Sequence, residues 1–538
     1  MNAQNFVTGT LILALSNLII KILGAVFRIP LGNIILSDGI GYYQTAYSVF
    51  VAILAISTSG IPTAISKMVA ERNRLGMYKT AKKVFTISIR IFLVFGILSF
   101  SLFFFGTDWL CNTVLKDKNA YYPIKALSLA LLIVPTVNAF KGYFQGRSNM
   151  LPTSLCQISE QFVRVFSGLF LAKMLLPKGL QVAAGGAAFG ASLGGIVAFL
   201  VIFIIYLKEK NLLNEEIALS QEEETERTGD LVKEMLSIAI PIIIGSLVIP
   251  IMNVIDSVIV KQRLMAGGIS YKDANSLFGQ FTGMAMTVVN LPQALTVSIV
   301  TSIVPAVSQS YVVRDLRTVR KNIRLGLRMG NLIAMPCFMG VMLMASPVMH
   351  LLYPKEGESV GSILFVMSFM ILLIALLQTA TAVLQALGKP MVPVIYLALA
   401  TLVKLALTYY LTPIPGINVK GAVIGTLAAY FIAMFLDLLY IRKKLKMKFR
   451  FKATFLMPFI MSVIMGVFVK ISYSLFVMLT KSPKISVVLA MLIGMLVYMY
   501  ELFFMGGISK NELKNLPGTN RLLRTLYKEE AKCGEEDR

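Results

Sequence analysis

Apolar stretches of roughly 20 residues recur from Leu11 to the neighbourhood of Phe504, and each is long enough to cross a hydrocarbon core about 30 Å thick as a helix. The predicted spans are 7–35, 42–66, 84–106, 123–142, 153–176, 187–207, 235–260, 277–303, 326–352, 361–387, 393–411, 421–441, 454–478 and 486–504. The expected fold is therefore an all-α integral membrane protein with about fourteen transmembrane helices. Composition agrees: 57% of residues are hydrophobic, 14% are charged and the mean hydropathy is +0.76, whereas soluble domains carry about a quarter charged residues.

The net charge of +24 invites a nucleic-acid partner, but the positions of the basic residues argue against one. They collect in every second loop: 67–83 (Lys67, Arg72, Arg74, Lys79, Lys82, Lys83), 314–324 (Arg314, Arg317, Arg320, Lys321, Arg324), 442–452 and the C-terminal tail. The positive-inside rule reads those loops as cytoplasmic, which places both termini inside. The first apolar run follows a start without Lys or Arg and continues past Arg28, so no cleavable signal peptide is expected. Cys111, Cys156, Cys337 and Cys533 show no metal or redox spacing, and His350 stands alone. No G-x-x-x-x-G-K-[ST] phosphate loop is present. No cofactor and no covalent catalysis are expected; the driving force would be Na+, H+, the membrane potential or a partner protein.

The chain repeats itself. Thr58-Ser59-Gly60-Ile61-Pro62-Thr63-Ala64-Ile65-Ser66 closes the second span and Thr301-Ser302-Ile303-Val304-Pro305-Ala306-Val307-Ser308 the eighth. Phe144-Gln145-Gly146 leads to Pro152 as Leu384-Gln385-Ala386 leads to Pro393. Both pairs are six spans apart, an even number, so the halves share one orientation and are related by an axis along the membrane normal. The expected layout is an N-lobe (1–207), a solvated acidic linker (208–233, with Glu215, Glu216, Glu222, Glu223, Glu224 and Glu226), a C-lobe (234–441), two accessory spans (442–504) and a tail (505–538) whose basic residues act foremost as a topology determinant and secondly suit anionic lipid headgroups.

Ionisable side chains at mid-bilayer cost several kcal/mol unless they face a cavity or a partner, so they are the candidate site. Lys21 and Arg28 are seven residues apart on the first span, nearly on one face, with Gly24 between them and Pro30 making a bend plausible. Glu160 and Arg164 stand at i and i+4 on the fifth span, close enough to pair. Arg164 lies twelve residues past Pro152 and Lys404 eleven past Pro393, so the lobes are expected to present a cation at matching depth. Asp256, towards the outer end of the seventh span, is a candidate for a coupling cation or for balancing a cavity arginine, with an outer-interface position the equal alternative. Arg90, Lys173, Asp437, Lys470 and Glu501 are expected to snorkel to an interface.

The residues Lys21-Ile-Leu-Gly24 to Arg28-Ile-Pro30, Asp38-Gly-Ile-Gly41-Tyr42-Tyr43-Gln44, Thr58 to Ser66, Gly142-Tyr-Phe-Gln-Gly146 and Asn290-Leu-Pro292 resemble, in combination, the multidrug/oligosaccharidyl-lipid/polysaccharide exporter superfamily. The resemblance is to its branch of YtgP and stage V sporulation protein B-like polysaccharide transporters, related to the MurJ lipid II flippases. It implies two six-helix lobes, V-shaped around a cavity that opens alternately to either side, with two extra helices. It also implies an undecaprenyl-pyrophosphate-linked sugar substrate in a bacterial cytoplasmic membrane, held at its pyrophosphate by cavity cations. That role falls on Lys21, Arg28 and Arg164, and Asp38 resembles an acidic residue that follows the first helix. MurJ flippases carry an arginine on the second span and charges on the eighth; here 42–66 and 277–303 contain none.

The function expected is thus a flippase, with lipid II the favoured cargo, membrane lipids as surroundings and cell-wall synthesis proteins as possible partners. A cation-coupled drug exporter is the second reading, disfavoured by the basic excess at mid-depth. A non-transporting scaffold for cell-wall or spore assembly is the third, and it would tolerate loss of the cavity cations.

Overall fold

Leucine, isoleucine, valine and phenylalanine dominate each apolar stretch, and in the computed structural model these stretches lie mainly in helix, the geometry that satisfies backbone groups internally, with turns at Ser59, Leu291-Pro292 and Met344. The structure describes residues 3–218, 220, 225–449 and 451–504. The expected tail 505–538, Glu222 to Glu224 and Cys533 lie outside the described residues.

The principal helices are α1 (Ala3–Thr58), α2 (Gly60–Arg74), α3 (Tyr78–Phe104), α4 (Tyr121–Gly146), α5 (Leu151–Leu175), α6 (Leu180–Ala218), α7 (Thr228–Ala266), α8 (Tyr271–Gly279), α9 (Gln293–Val312), α10 (Leu316–Leu343), α11 (Gly357–Ala386), α12 (Met391–Leu411), α13 (Lys420–Leu445), α14 (Met457–Thr480) and α15 (Pro483–Phe504). Among the described residues, twelve helical stretches are long and apolar enough to cross a membrane. The expected count of fourteen differs at two places. Residues 15–74 form one stretch, although α1 breaks inside it, and α5 falls short because Gln157, Ser159, Glu160, Gln161 and Arg164 dilute its apolar run.

The break in α1 is at Leu36, whose φ of 56° is in the left-handed region, a conformation that costs a non-glycine residue of order 1–3 kcal/mol. The bend expected near Pro30 is thus displaced towards the next loop. The Ser37 N–H, released from the helical ladder, donates to Glu356 Oε1 at 3.0 Å, so the amide is satisfied by the other half of the chain.

The two halves pack alike. α2 and α3 both lie against α4, and α4 and α5 against α6; in the second half α9 and α10 lie against α11, and α11 and α12 against α13. This is the two-lobed arrangement that the repeat predicts. α14 packs on α10 and on α15, and both extra helices leave large apolar side chains such as Phe468, Ile471 and Leu496 exposed. At the start of α10, the Asp315 carboxylate accepts the Arg317 and Thr318 N–H groups at 3.1 Å each, an N-cap that fixes the turn. Its hydrogen bonds with Thr318 hold that carboxyl below its usual range.

Where it is described, the stretch 208–233 is docked and not a solvated tether. α6 stays helical to Ala218 and α7 starts at Thr228. Glu216 meets Arg147 at 2.6 Å, while Arg72, buried, meets Glu226 at 3.0 Å and Glu234 at 2.5 Å. Glu216 and Glu226 thus face basic residues of the N-lobe, and the opposite charges hold this part of the chain against it.

Candidate functional site

Between the lobes lies an open cavity of about 200 Å³, lined on one side by Arg28, Gln44, Tyr47, Ser48 and Val51 and on the other by Asn253, Asp256, Phe281, Asn290, Lys404 and Tyr430. The N-lobe wall follows from helical periodicity. Tyr47 and Ser48 follow Gln44 by three and four residues and precede Val51 by four and three on the second half of α1, so one face of that segment supplies them.

Two of the four expected cations line the cavity. Arg28 is half-buried, and no carboxylate pairs with it among the described residues. Lys404 is 2% exposed and meets Asp256 Oδ2 at 2.5 Å. Asp256, a candidate for a coupling cation, has the Lys404 ammonium as its partner. The pair is neutral as a unit, so Arg28 supplies the uncompensated positive charge of the cavity.

Arg164 stands one side chain behind the wall. Its Nη2 donates to the Tyr43 hydroxyl at 2.9 Å, and its guanidinium lies 5.0 Å from the centre of the Tyr47 ring and 5.9 Å from that of Phe27. Tyr43 and Tyr47 stack at 5.5 Å. The arginine thus braces the tyrosine that faces the cavity by a cation–π contact. The expected Glu160–Arg164 pair does not form. Glu160 meets Lys141 at 3.5 Å instead, in a second recess on the N-lobe, while Tyr43, Tyr47 and Phe27 engage the arginine. The expected match in depth between Arg164 and Lys404 is therefore not a match in exposure to the cavity.

Lys21 is exposed and lines neither space. Asp38 is at the end of the bundle opposite the basic loops, where its backbone carbonyl accepts from Asn275 Nδ2 at 2.8 Å. It belongs to a seal between the lobes. Ser37 Oγ donates to Glu356 Oε1 at 2.9 Å and lies 2.6 Å from Ser276 Oγ, and Asn33 Nδ2 donates to the Leu352 carbonyl at 2.8 Å.

Sequence reasoning missed the deepest ion pair of this seal. Lys261 Nζ meets Asp117 Oδ2 at 2.5 Å and Thr45 Oγ1 at 2.9 Å, and the Tyr271 hydroxyl donates to the same carboxylate. Lys261 is 3% and Asp117 1% exposed. Hydropathy puts both in loops, and nothing in the sequence says that those loops fold onto each other. Asp437 and Glu501, expected to snorkel, are also buried, at 0% and 3% exposure; the Asp437 carboxylate accepts from Thr381 Oγ1 at 3.3 Å. Among the described residues no group of three or more His, Cys, Asp or Glu side chains converges on a metal-binding geometry. What the cavity offers is a fixed positive charge, amides and hydroxyls for hydrogen bonding, and apolar walls: equipment for holding an anionic group away from water.

A family model described as "Polysaccharide biosynthesis protein" matches residues 6–311. Stage V sporulation protein B of Bacillus subtilis (strain 168) is 27% identical over 445 residues, 83% of this chain and 85% of its own length. Lipid II flippase MurJ of the same organism is 27% identical over 460 residues, 82% and 83% of the two chains. A solved structure of lipid II flippase MurJ in an inward closed conformation superposes with a TM-score of 0.66 at 16% identity, covering 91% of this chain and 98% of that one. An inward-facing multidrug resistance MATE family transporter of the MOP superfamily gives a TM-score of 0.65 at 16% identity, covering 80% and 94%. At that identity both likenesses speak for the fold.

Proposed function

The chain belongs to the polysaccharide biosynthesis protein family, and from that premise we propose that it flips an undecaprenyl-pyrophosphate-linked sugar, lipid II in the first instance, across the bacterial cytoplasmic membrane. The observation that carries this reading is Arg28, a cation without a carboxylate partner among the described residues, held in a cavity between two lobes. A guanidinium matches the geometry of phosphate oxygens and keeps its charge in a poorly solvated space.

The basic loops set the orientation: with them in the cytoplasm, both termini are inside and the seal of Ser37, Glu356, Lys261 and Asp117 is on the outer side. The cargo enters from the cytoplasmic side, its pyrophosphate pairs with Arg28, and its polyprenyl chain remains in lipid. Rocking of the lobes then opens the outer seal. An ion gradient or the membrane potential drives the cycle. The named relatives, a lipid II flippase and a sporulation protein, support this cargo class, and the net positive cavity speaks against a carrier for cationic drugs.

The test is the accessibility of labelled lipid II in proteoliposomes. Reconstituted protein is expected to bring lipid II of the inner leaflet within reach of an external, impermeant reagent. Identical accessibility with and without the protein rejects the reading.

A further inference from the structure

The recess that holds Glu160 and Lys141 has a composition that the central cavity lacks. It measures about 340 Å³ and is lined by five amides, Asn17, Asn138, Gln145, Gln157 and Gln161, beside that ion pair. The volume is in the range of small-ligand pockets, roughly 300–1,000 Å³. It exceeds the central cavity, at about 200 Å³. The Lys141 ammonium and Glu160 carboxylate stand 3.5 Å apart, so the recess has no net charge with which to attract a phosphate.

Its amides are in part unsatisfied. Asn138 is 5% exposed, and among the described residues its Nδ2 has no hydrogen-bond partner; neither has the buried Gln157 Oε1. Buried polar atoms of this kind are normally paired. One is a donor and the other an acceptor, the combination that hydroxyl and acetamido groups complement.

The recess continues the cavity. Asn17, Ile20, Gly24 and Arg28 recur at helical spacing on one face of α1. Asn17 and Ile20 line the recess and Arg28 the cavity. At Gly24, between them, the absence of a side chain leaves the Gln161 amide 3.9 Å from where a Cβ would stand. On the second half of α1, the stripe of Gln44, Tyr47 and Val51 likewise runs on to Leu54 and Thr58 in the recess. Eleven residues of helix put Asn17 about 16 Å below Arg28.

We propose that this amide-rich recess is a second subsite, which binds the neutral sugar hydroxyl and acetamido groups of the cargo while Arg28 holds its phosphates. It rests on the reading of the central cavity given above, and it makes the recess the part of the protein that selects the glycan.

The experiment uses the full-length protein in lipid nanodiscs and two probes: a polyprenyl pyrophosphate carrying an N-acetylhexosamine, and the same polyprenyl pyrophosphate without sugar. The wild-type protein is expected to bind the sugar-bearing probe more tightly. Asn138→Leu combined with Gln157→Leu is expected to weaken that probe about tenfold, as the loss of two hydrogen bonds would, and to leave the bare one within about twofold. Should the double variant fail to fold, Gln161→Leu, at a half-buried position, is read in the same way. Equal affinity of the wild type for both probes overturns the proposal, as does an equal loss for both in a folded variant. Arg28→Ala distinguishes the premise: it weakens both probes if Arg28 binds phosphate, and unchanged binding of the bare probe refutes the cavity reading alone.

Discussion

Lys404 and Asp256 meet at 2.5 Å on the wall of the inter-lobe cavity, with side chains only 3% and 7% exposed. A pair desolvated to this degree contributes little net stability, but removing one partner leaves a buried, uncompensated charge that costs about 3–5 kcal/mol. Asp256→Asn and Lys404→Met are each expected to lower the apparent melting temperature in detergent. The double variant Asp256→Leu with Lys404→Met is expected to melt closer to the wild type than either single one. A double variant that melts at the sum of the two losses would show that the residues act independently.

Arg28 differs from Lys404 in having no such neutralising partner. Its replacement is expected to cost cargo binding, not stability. Arg28→Ala removes charge-assisted hydrogen bonds worth about 1.5–3 kcal/mol, so Kd for a polyprenyl pyrophosphate is expected to rise roughly ten- to hundredfold. Arg28→Lys keeps the charge but not the planar fork and falls between the two. Isothermal titration in nanodiscs, with the melting temperature as control, measures both.

The contrast between these two cations also shows what a sequence carries and what it does not. Span order, the repeat and the membrane class follow from hydropathy and spacing, because the bilayer imposes a length on every helix and a period on every face. Arg28 and Lys404 reach the cavity because a mid-span cation must face something other than lipid. Partner choice escaped. Glu160 and Arg164 are one helical turn apart, yet Lys141 and the tyrosines of α1 take them, since tertiary neighbours outcompete an i,i+4 pair worth a few tenths of a kcal/mol. Lys261 and Asp117 escaped for a different reason. Each falls outside the predicted spans, where a charge needs no explanation, and only the folded seal brings them together.

The position of α5, and with it Glu160 and Arg164, depends on a ladder of small residues in α6. Gly186, Gly190 and Gly194 recur every four residues and face α5. A Cβ on Gly190 would stand 2.7 Å from the Arg164 carbonyl, and one on Gly194 2.6 Å from the Glu160 carbonyl. Both neighbours are backbone, so neither can turn away, and close approach of this type is what small-xxx-small faces provide in membranes. Gly190→Val is expected to force the helices apart and lower the melting temperature by several degrees. Gly179→Val is not a fair control, because Gly179 has φ +115°. Gly229→Ala, with open space around it, is expected to change nothing.

The contact between Ser37 and Glu356 gives the outer seal a testable weak point. Both the N–H freed by the break at Leu36 and the Ser37 hydroxyl donate to Glu356 Oε1, at 3.0 and 2.9 Å. Glu356→Ala deprives both of that acceptor at a cost of about 1–3 kcal/mol, and the cost falls on the sealed state, since only there do the lobes meet at this point. The open state gains in population accordingly. Ser48→Cys, on the cavity wall, reports the change: an impermeant maleimide added from the side opposite the basic loops should label it several-fold faster when Glu356→Ala is also present. The background from native thiols at that end is low. Cys111 is buried, and burial, with Asp117 and Asp108 nearby, pushes its thiol up to about 12; Cys337, which is half-buried, and Cys533 are replaced by serine beforehand. Labelling at the wild-type rate would mean that the remaining contacts of the seal, led by the buried Lys261–Asp117 pair, keep this end shut without Glu356, and Lys261→Met in the same background then becomes the variant that opens it.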